Sequence, residues 1–185
     1  MALRRGFKSE ANQFAREFRQ ELGITLHGPL CPWRLAQHLH VPVLKLSEIV
    51  KKNARAAYFL TQDGCREFSG ATINIRNRRG IVVNDGHSRK RQAADLSHEL
   101  SHCILHHRPV EPTARIGIRS YDPLQEEEAN WLGPALLVSE EAALWIVRQG
   151  LSRPDASDHF SVSEELIQMR LNLTGAYRRI KIGSV

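Results

Sequence analysis

Cysteine is scarce in this chain, and its scarcity removes one whole class of small folds. Three cysteines among 185 residues, Cys31, Cys65 and Cys103, are too few and too scattered to staple a scaffold with disulfides. Such usage suits a reducing compartment. No run of about 18 apolar residues occurs, so a membrane-spanning helix is not expected. Leu3-Arg4-Arg5-Gly6-Phe7 leads into a charged amphipathic segment rather than the apolar core of an export signal. A cytoplasmic protein is therefore expected. Internal repeats and low-complexity linkers are also missing. Charge of one sign does not dominate: 26 Lys+Arg against 20 Asp+Glu leave +6, short of a polybasic tract. Arg76-x-Arg78-Arg79 and Arg89-Lys90-Arg91 can meet an acidic peptide or nucleic acid, but such runs more often start helices or sit in loops. What remains is one globular domain, or a domain with a small appendage, long enough to bury a real core.

Against that background stands His98-Glu99-Leu100-Ser101-His102, an HExxH pattern. Residues four apart on a helix lie one turn above each other on the same face. That spacing lets His98 and His102 close on one metal ion, with Glu99 beside its open position. Zinc lowers the pKa of bound water to about 7, and a neighbouring carboxylate can take the proton. The bland reading is a polar stripe on a surface helix. Against it, Leu96, Leu100, Cys103 and Ile104 form an apolar stripe of helical spacing. This stripe lies roughly opposite the two histidines, so they face away from the core as a pair. Cys103 is most simply a small core residue.

Catalytic zinc usually takes three protein ligands and keeps one position open. A third histidine six residues after His102 would give the metzincin arrangement, but Arg108 stands there. His106 is carried one turn too far along the axis and reads as a solvated or capping residue at the helix end. Glu126-Glu127-Glu128 opens a second helical pattern, in which Ala129, Leu132, Gly133, Leu136 and Leu137 mark a buried face. Glu126 extends that face, whereas Glu127 and Glu128 point away and read as a solvated acidic pair near a helix start. A carboxylate on a buried face needs a partner, and a metal is a good one. Glu126 is the expected third ligand. Small Ala129 and Gly133 would let this helix approach the HExxH helix closely.

A coarse pass predicts helices over 10–22, 32–40, 88–106 and 123–137, and strand-like runs over 41–46, 56–60, 70–75 and 80–84. Asp63-Gly64 and Arg79-Gly80 read as turns between these runs. Ser139 is placed at the N-cap of the next helix. Three short helices follow, over 140–149, 153–160 and 163–173, with Ser161 and Glu164 at capping-box spacing. The expected fold class is α+β, with both metal-site helices on a small β-sheet and a C-terminal helical cap. Residues 1–139 would form the main domain and 140–185 a helical subdomain packed on it. The last two helices resemble a helix-turn-helix, whose functional reading is DNA contact through Gln168 and Arg170. Leu166, Ile167, Met169, Leu171 and Leu173 leave few positions for base contacts, so direct DNA binding is not expected.

HELSH followed by Glu126-x-x-Ala129-Asn130 and Ala135-Leu136-Leu137-Val138 resembles the ImmA/IrrE family of metallopeptidases. Pro32-Trp33-x-Leu35-Ala36, Phe68-Ser69-Gly70-Ala71-Thr72 and Arg170-Leu171-Asn172-x-Thr174-Gly175 extend the likeness over nearly the whole chain, in the manner of short members without a further sensor domain. Pro134 within the second helix and Ser139 in place of a frequent proline depart from the pattern. The resemblance implies a gluzincin-like endopeptidase, with His98, His102 and Glu126 as ligands and Glu99 as the base. Zinc is the expected ion, with manganese the alternative. It also implies a protein substrate, a helix-turn-helix repressor whose cleavage releases stress or mobile-element genes. The competing reading is a DNA- or protein-binding regulator that keeps the metal site only as a structural staple.

Overall fold

The computed structural model describes residues 3–51, 54–60, 64, 68–75, 78–107 and 122–182. Helix α1 (Phe7–Glu21) buries Phe7, Ala11, Ala15 and Phe18 along one stripe. It starts three residues earlier than the apolar spacing suggests because Gly6, at φ 86°, makes the left-handed turn that launches it. Helix α2 (Pro32–His38) begins on proline, whose missing N–H costs nothing in a first turn.

Three strands follow the order β1-β3-β2: β1 (Val43–Lys45), β2 (Gly70–Ile75) and β3 (Arg78–Val83). β3 is central, parallel to β1 and antiparallel to β2. Its Ile81, Val82 and Val83 are all buried, as a strand covered on both faces requires. Two turn and strand readings need correction. Arg79-Gly80 is not a turn but lies inside β3, opposite Asn74 and Ile73; the connection falls at 76–77, outside the described residues. Residues 56–60 are not a strand but part of a 3-10 segment, Ala54–Leu60, since so short an apolar run has no periodicity to separate the two states. Asp63 also lies outside the described residues. Helix α3 (Leu46–Val50) follows β1 directly; the expected strand over 41–46 reached only its first residue, and no element was expected over the rest.

Helix α4 (Arg89–Ile104) carries HExxH, and Ser88 caps it by accepting from the Arg91 N–H. Helix α5 (Pro123–Leu137) is capped by Asp122, which accepts from Leu124 and Gln125. The two helices pack closely. A β-carbon on Gly133 would sit 3.2 Å from the His98 backbone, and the Ser97 hydroxyl donates to the Gly133 carbonyl at 2.9 Å. One apolar core joins α1, α2, α4, α5 and β3. A second gathers around α6 (Glu140–Arg148), α7 (Arg153–Phe160), α8 (Glu164–Thr174) and α9 (Ala176–Ile182). Ser139 caps α6 as expected, accepting from Ala142. The capping box does not form at Ser161, which ends α7 in a left-handed conformation; Ser163 caps α8 instead.

Two buried guanidiniums tie the cores together at the end of α5. Arg19 donates to the carbonyls of Leu136 and Leu137, and Arg170 to that of Val138. Carbonyls at a helix C-terminus lack intrahelical partners and carry partial negative charge, so cations satisfy them twice over. Burial pushes both arginines down to about 10, leaving them charged at neutral pH. The mixed sheet under a mostly helical shell makes the protein α+β. Among the described residues no helix is long and apolar enough to cross a membrane.

Candidate metal centre

His98 and His102 project from successive turns of α4, and Glu126 reaches them from the first turn of α5. The two Nε2 atoms are 3.2 Å apart. Glu126 Oε2 stands 3.3 Å from His98 Nε2, and Oε1 3.6 Å from His102 Nε2. Ligand atoms 2.0–2.1 Å from a tetrahedral zinc would be separated by about 3.3 Å. The observed spacings bracket that value, and two imidazole nitrogens with one carboxylate are a donor set zinc accepts. Among the described residues these three form the group able to hold a metal ion. Burial, with His98, His107 and Arg79 adding positive charge nearby, pushes His102 down to about 3. Its ring is therefore neutral at neutral pH, with a lone pair to offer.

Glu99 sits on the same helix beside this cluster, against β2. The Thr72 hydroxyl donates to Glu99 Oε2 at 2.7 Å. Gly70 also lies against it: a β-carbon there would be in contact with Glu99 Cγ at 3.4 Å and press more tightly on the Val82 carbonyl at 3.2 Å.

The end of α4 holds a residue the sequence reading passed over. His106 adopts φ 53° and is exposed, in keeping with a capping role. The His106 N–H bonds to the Cys103 carbonyl and the His107 N–H to the His102 carbonyl, the paired bonds of a Schellman motif. This reversal folds His107 back over His102, with their Nδ1 atoms 2.9 Å apart. From β3, Arg79 donates to the carbonyls of both His102 and His107. Glu127 and Glu128 are not a solvated pair: both are half-buried, and Glu128 meets His107 Nε2 at 3.1 Å and Arg4 Nε at 2.7 Å. Thr72, Arg79, His107 and Glu128 reach the centre through contacts between remote segments, which no local pattern announces. Only the His106-His107 pair at the helix end offered a signal.

The basic cluster Arg89-Lys90-Arg91 is taken up by the fold, while Arg76 of the other cluster lies outside the described residues. Arg89 lies over the Trp33 ring, Lys90 bonds Ser157 and Asp158, and Arg91 bonds Asp95 and Ser69.

A helix bearing HExxH, crossed by a second helix bearing glutamate over a small sheet, is the architecture of a metallopeptidase. The family model of Peptidase M78, the IrrE N-terminal-like domain, matches residues 49–172, and the chain belongs to that family. The match covers more than half of the chain and includes His98, Glu99, His102 and Glu126. The resemblance to ImmA/IrrE metallopeptidases holds. Comparison with curated proteins and with solved structures finds no match.

Proposed function

We propose that this protein is a cytoplasmic zinc-dependent endopeptidase that cleaves a partner protein. His98, His102 and Glu126 hold the ion. When bound, zinc would supply Lewis acidity at the scissile carbonyl and a water ready to attack at neutral pH. Glu99 is the general base: Thr72 occupies its Oε2, leaving Oε1 to take the proton from the attacking water and return it to the leaving amine. β2 is the outer strand of the sheet nearest Glu99, and its outer edge, which has no strand beside it among the described residues, suits an extended substrate segment that adds its backbone to the sheet. The observation that carries the reading is the convergence of three ligand atoms within 4.8 Å of one another, with Glu99 next to His98 on the same helix.

Family resemblance supports a helix-turn-helix repressor as the substrate. Manganese is the alternative ion. The competing DNA-binding regulator is less well supported, because Arg170, one of its two base-contact residues, is 1% exposed and spent on the Val138 carbonyl.

Metal analysis and cleavage assays test the reading together. His98→Ala, His102→Ala and Glu126→Ala should each lose most of the bound zinc. Glu99→Gln should keep zinc and fold while losing about 10²–10⁴-fold in turnover, the share general acid–base groups supply. Full zinc occupancy in Glu126→Ala, or undiminished cleavage by Glu99→Gln, would overturn the assignment.

A further inference from the structure

We infer that His107, backed by Glu128 and Arg4, fixes the tautomer of His102 and so presets the lone pair that receives the metal. The inference rests on the metal-site reading above and concerns residues that reading leaves unused. A chain of hydrogen bonds whose directions chemistry dictates runs inward from the surface. Arg4 Nε donates to Glu128 Oε1 at 2.7 Å, since a guanidinium has only donors. With Oε1 so engaged, the Glu128 carboxylate accepts at Oε2 from His107 Nε2, 3.1 Å away, which places the proton on that nitrogen. A neutral imidazole that donates from Nε2 can only accept at Nδ1. His107 Nδ1 faces His102 Nδ1 at 2.9 Å, so the latter carries the proton and donates it. His102 is left with its lone pair on Nε2, the atom that faces His98 and Glu126.

The backbone makes this arrangement hard to escape. The Schellman turn at the end of α4 and the Arg79 clamp on the His102 and His107 carbonyls hold the two rings together. His107 is 8% exposed, which shields its Nδ1 from competing water. Ligand histidines generally lean on such an outer partner, which sets ring orientation and raises ligand basicity. Here the partner is another histidine, and the chain of bonds ends on Arg4 in the segment that precedes α1. His107 is thus a positioning residue, acting through His102.

Two measurements test it. The first is zinc affinity by competition with a chromophoric chelator, on the full chain. His107→Phe should bind zinc about 10–100-fold more weakly than wild type, the usual effect of removing an outer-sphere partner. His107→Gln should recover much of that loss, because its side-chain carbonyl can accept the same proton. Glu128→Ala should weaken binding in the same direction but less. The second is a histidine nitrogen–proton correlation spectrum of the metal-free protein. His102 should carry its proton on Nδ1 and His107 on Nε2, and His107→Phe should release His102 into a tautomer mixture. The opposite tautomers in the metal-free wild type, or wild-type zinc affinity in folded His107→Phe, would overturn the inference. Should His107→Phe fail to fold, unchanged affinity in Glu128→Ala overturns it equally. A wild-type protein that takes up no zinc would refute the metal-site reading instead, while the metal-free spectrum still judges His107.

Discussion

His106 occupies a backbone conformation better suited to glycine than to histidine. At φ 53° its β-carbon crowds the following carbonyl, which costs a non-glycine residue roughly 1–2 kcal/mol. The side chain is exposed, and only its backbone N–H enters the Schellman motif. His106→Gly is therefore expected to raise stability by about 1 kcal/mol, read as a higher melting temperature, while zinc affinity stays at the wild-type value. A lower melting temperature would mean that the imidazole makes a contact worth more than the relieved strain. Neighbouring histidines on one turn thus have separate duties: one bends the chain, and the other reaches back to His102.

Helices α4 and α5 approach each other closely at Gly133. Gly133 faces His98 Cα and N at 3.2 Å and the Ser97 carbonyl carbon at 3.3 Å, measured from the position a β-carbon would take. All three are main-chain atoms, so no side chain can swing aside. Gly133→Ala should push the helices apart by a few tenths of an ångström and cost about 1–3 kcal/mol, the range for overpacking a filled core. Glu126 would move with α5 while His98 stays on α4, so zinc affinity should fall along with stability. Denaturant titration with a chelator competition would register both. The helices themselves were largely legible in the sequence: 88–106 and 123–137 were expected, and Arg89–Ile104 and Pro123–Leu137 are found. Each is long, periodic and capped by a residue whose side chain suits the role. Helices α3 and α9 were not legible: five and seven residues hold too few turns to display a period, and neither opens on a proline as the equally short α2 does. The same division runs through the candidate metal centre. His98, Glu99, His102 and Glu126 follow from spacing and phase along single helices. Thr72, His107, Glu128 and Arg4 are assembled from four separate segments, and only the fold brings them together.

At the scale of the whole molecule, the two apolar cores meet where Arg19 and Arg170 address the end of α5. Arg19 is fully buried and donates to four carbonyls, those of Ala15, Gly28, Leu136 and Leu137. Arg19→Ala would leave several of these acceptors without partners in a site closed to water. At about 1–3 kcal/mol for each unsatisfied buried group, the variant should lose at least about 3 kcal/mol, visible as a shifted urea midpoint. A loss below 1 kcal/mol would show that water takes the vacated place. Sequence periodicity gave no warning of this arginine. Its position continues the apolar stripe of α1, and only the helix end packed against it explains a charge there.

The order of the strands carries a last consequence, for the target rather than the enzyme. β2 lies at the margin of the sheet, and one row of its amide and carbonyl groups has no strand beside it among the described residues. A helix cannot occupy such a row, because its own amides and carbonyls are already paired with one another. On the proposed function, a folded target would therefore have to surrender its local structure before being cut, and the free energy of that opening would enter the rate directly. Linkers between folded units should be cleaved fastest, and helices in proportion to how often they melt. Placing one peptide sequence first in a flexible linker and then within a stable helix would measure the difference. Equal cleavage of the two would mean that the edge of β2 plays no part in holding the substrate.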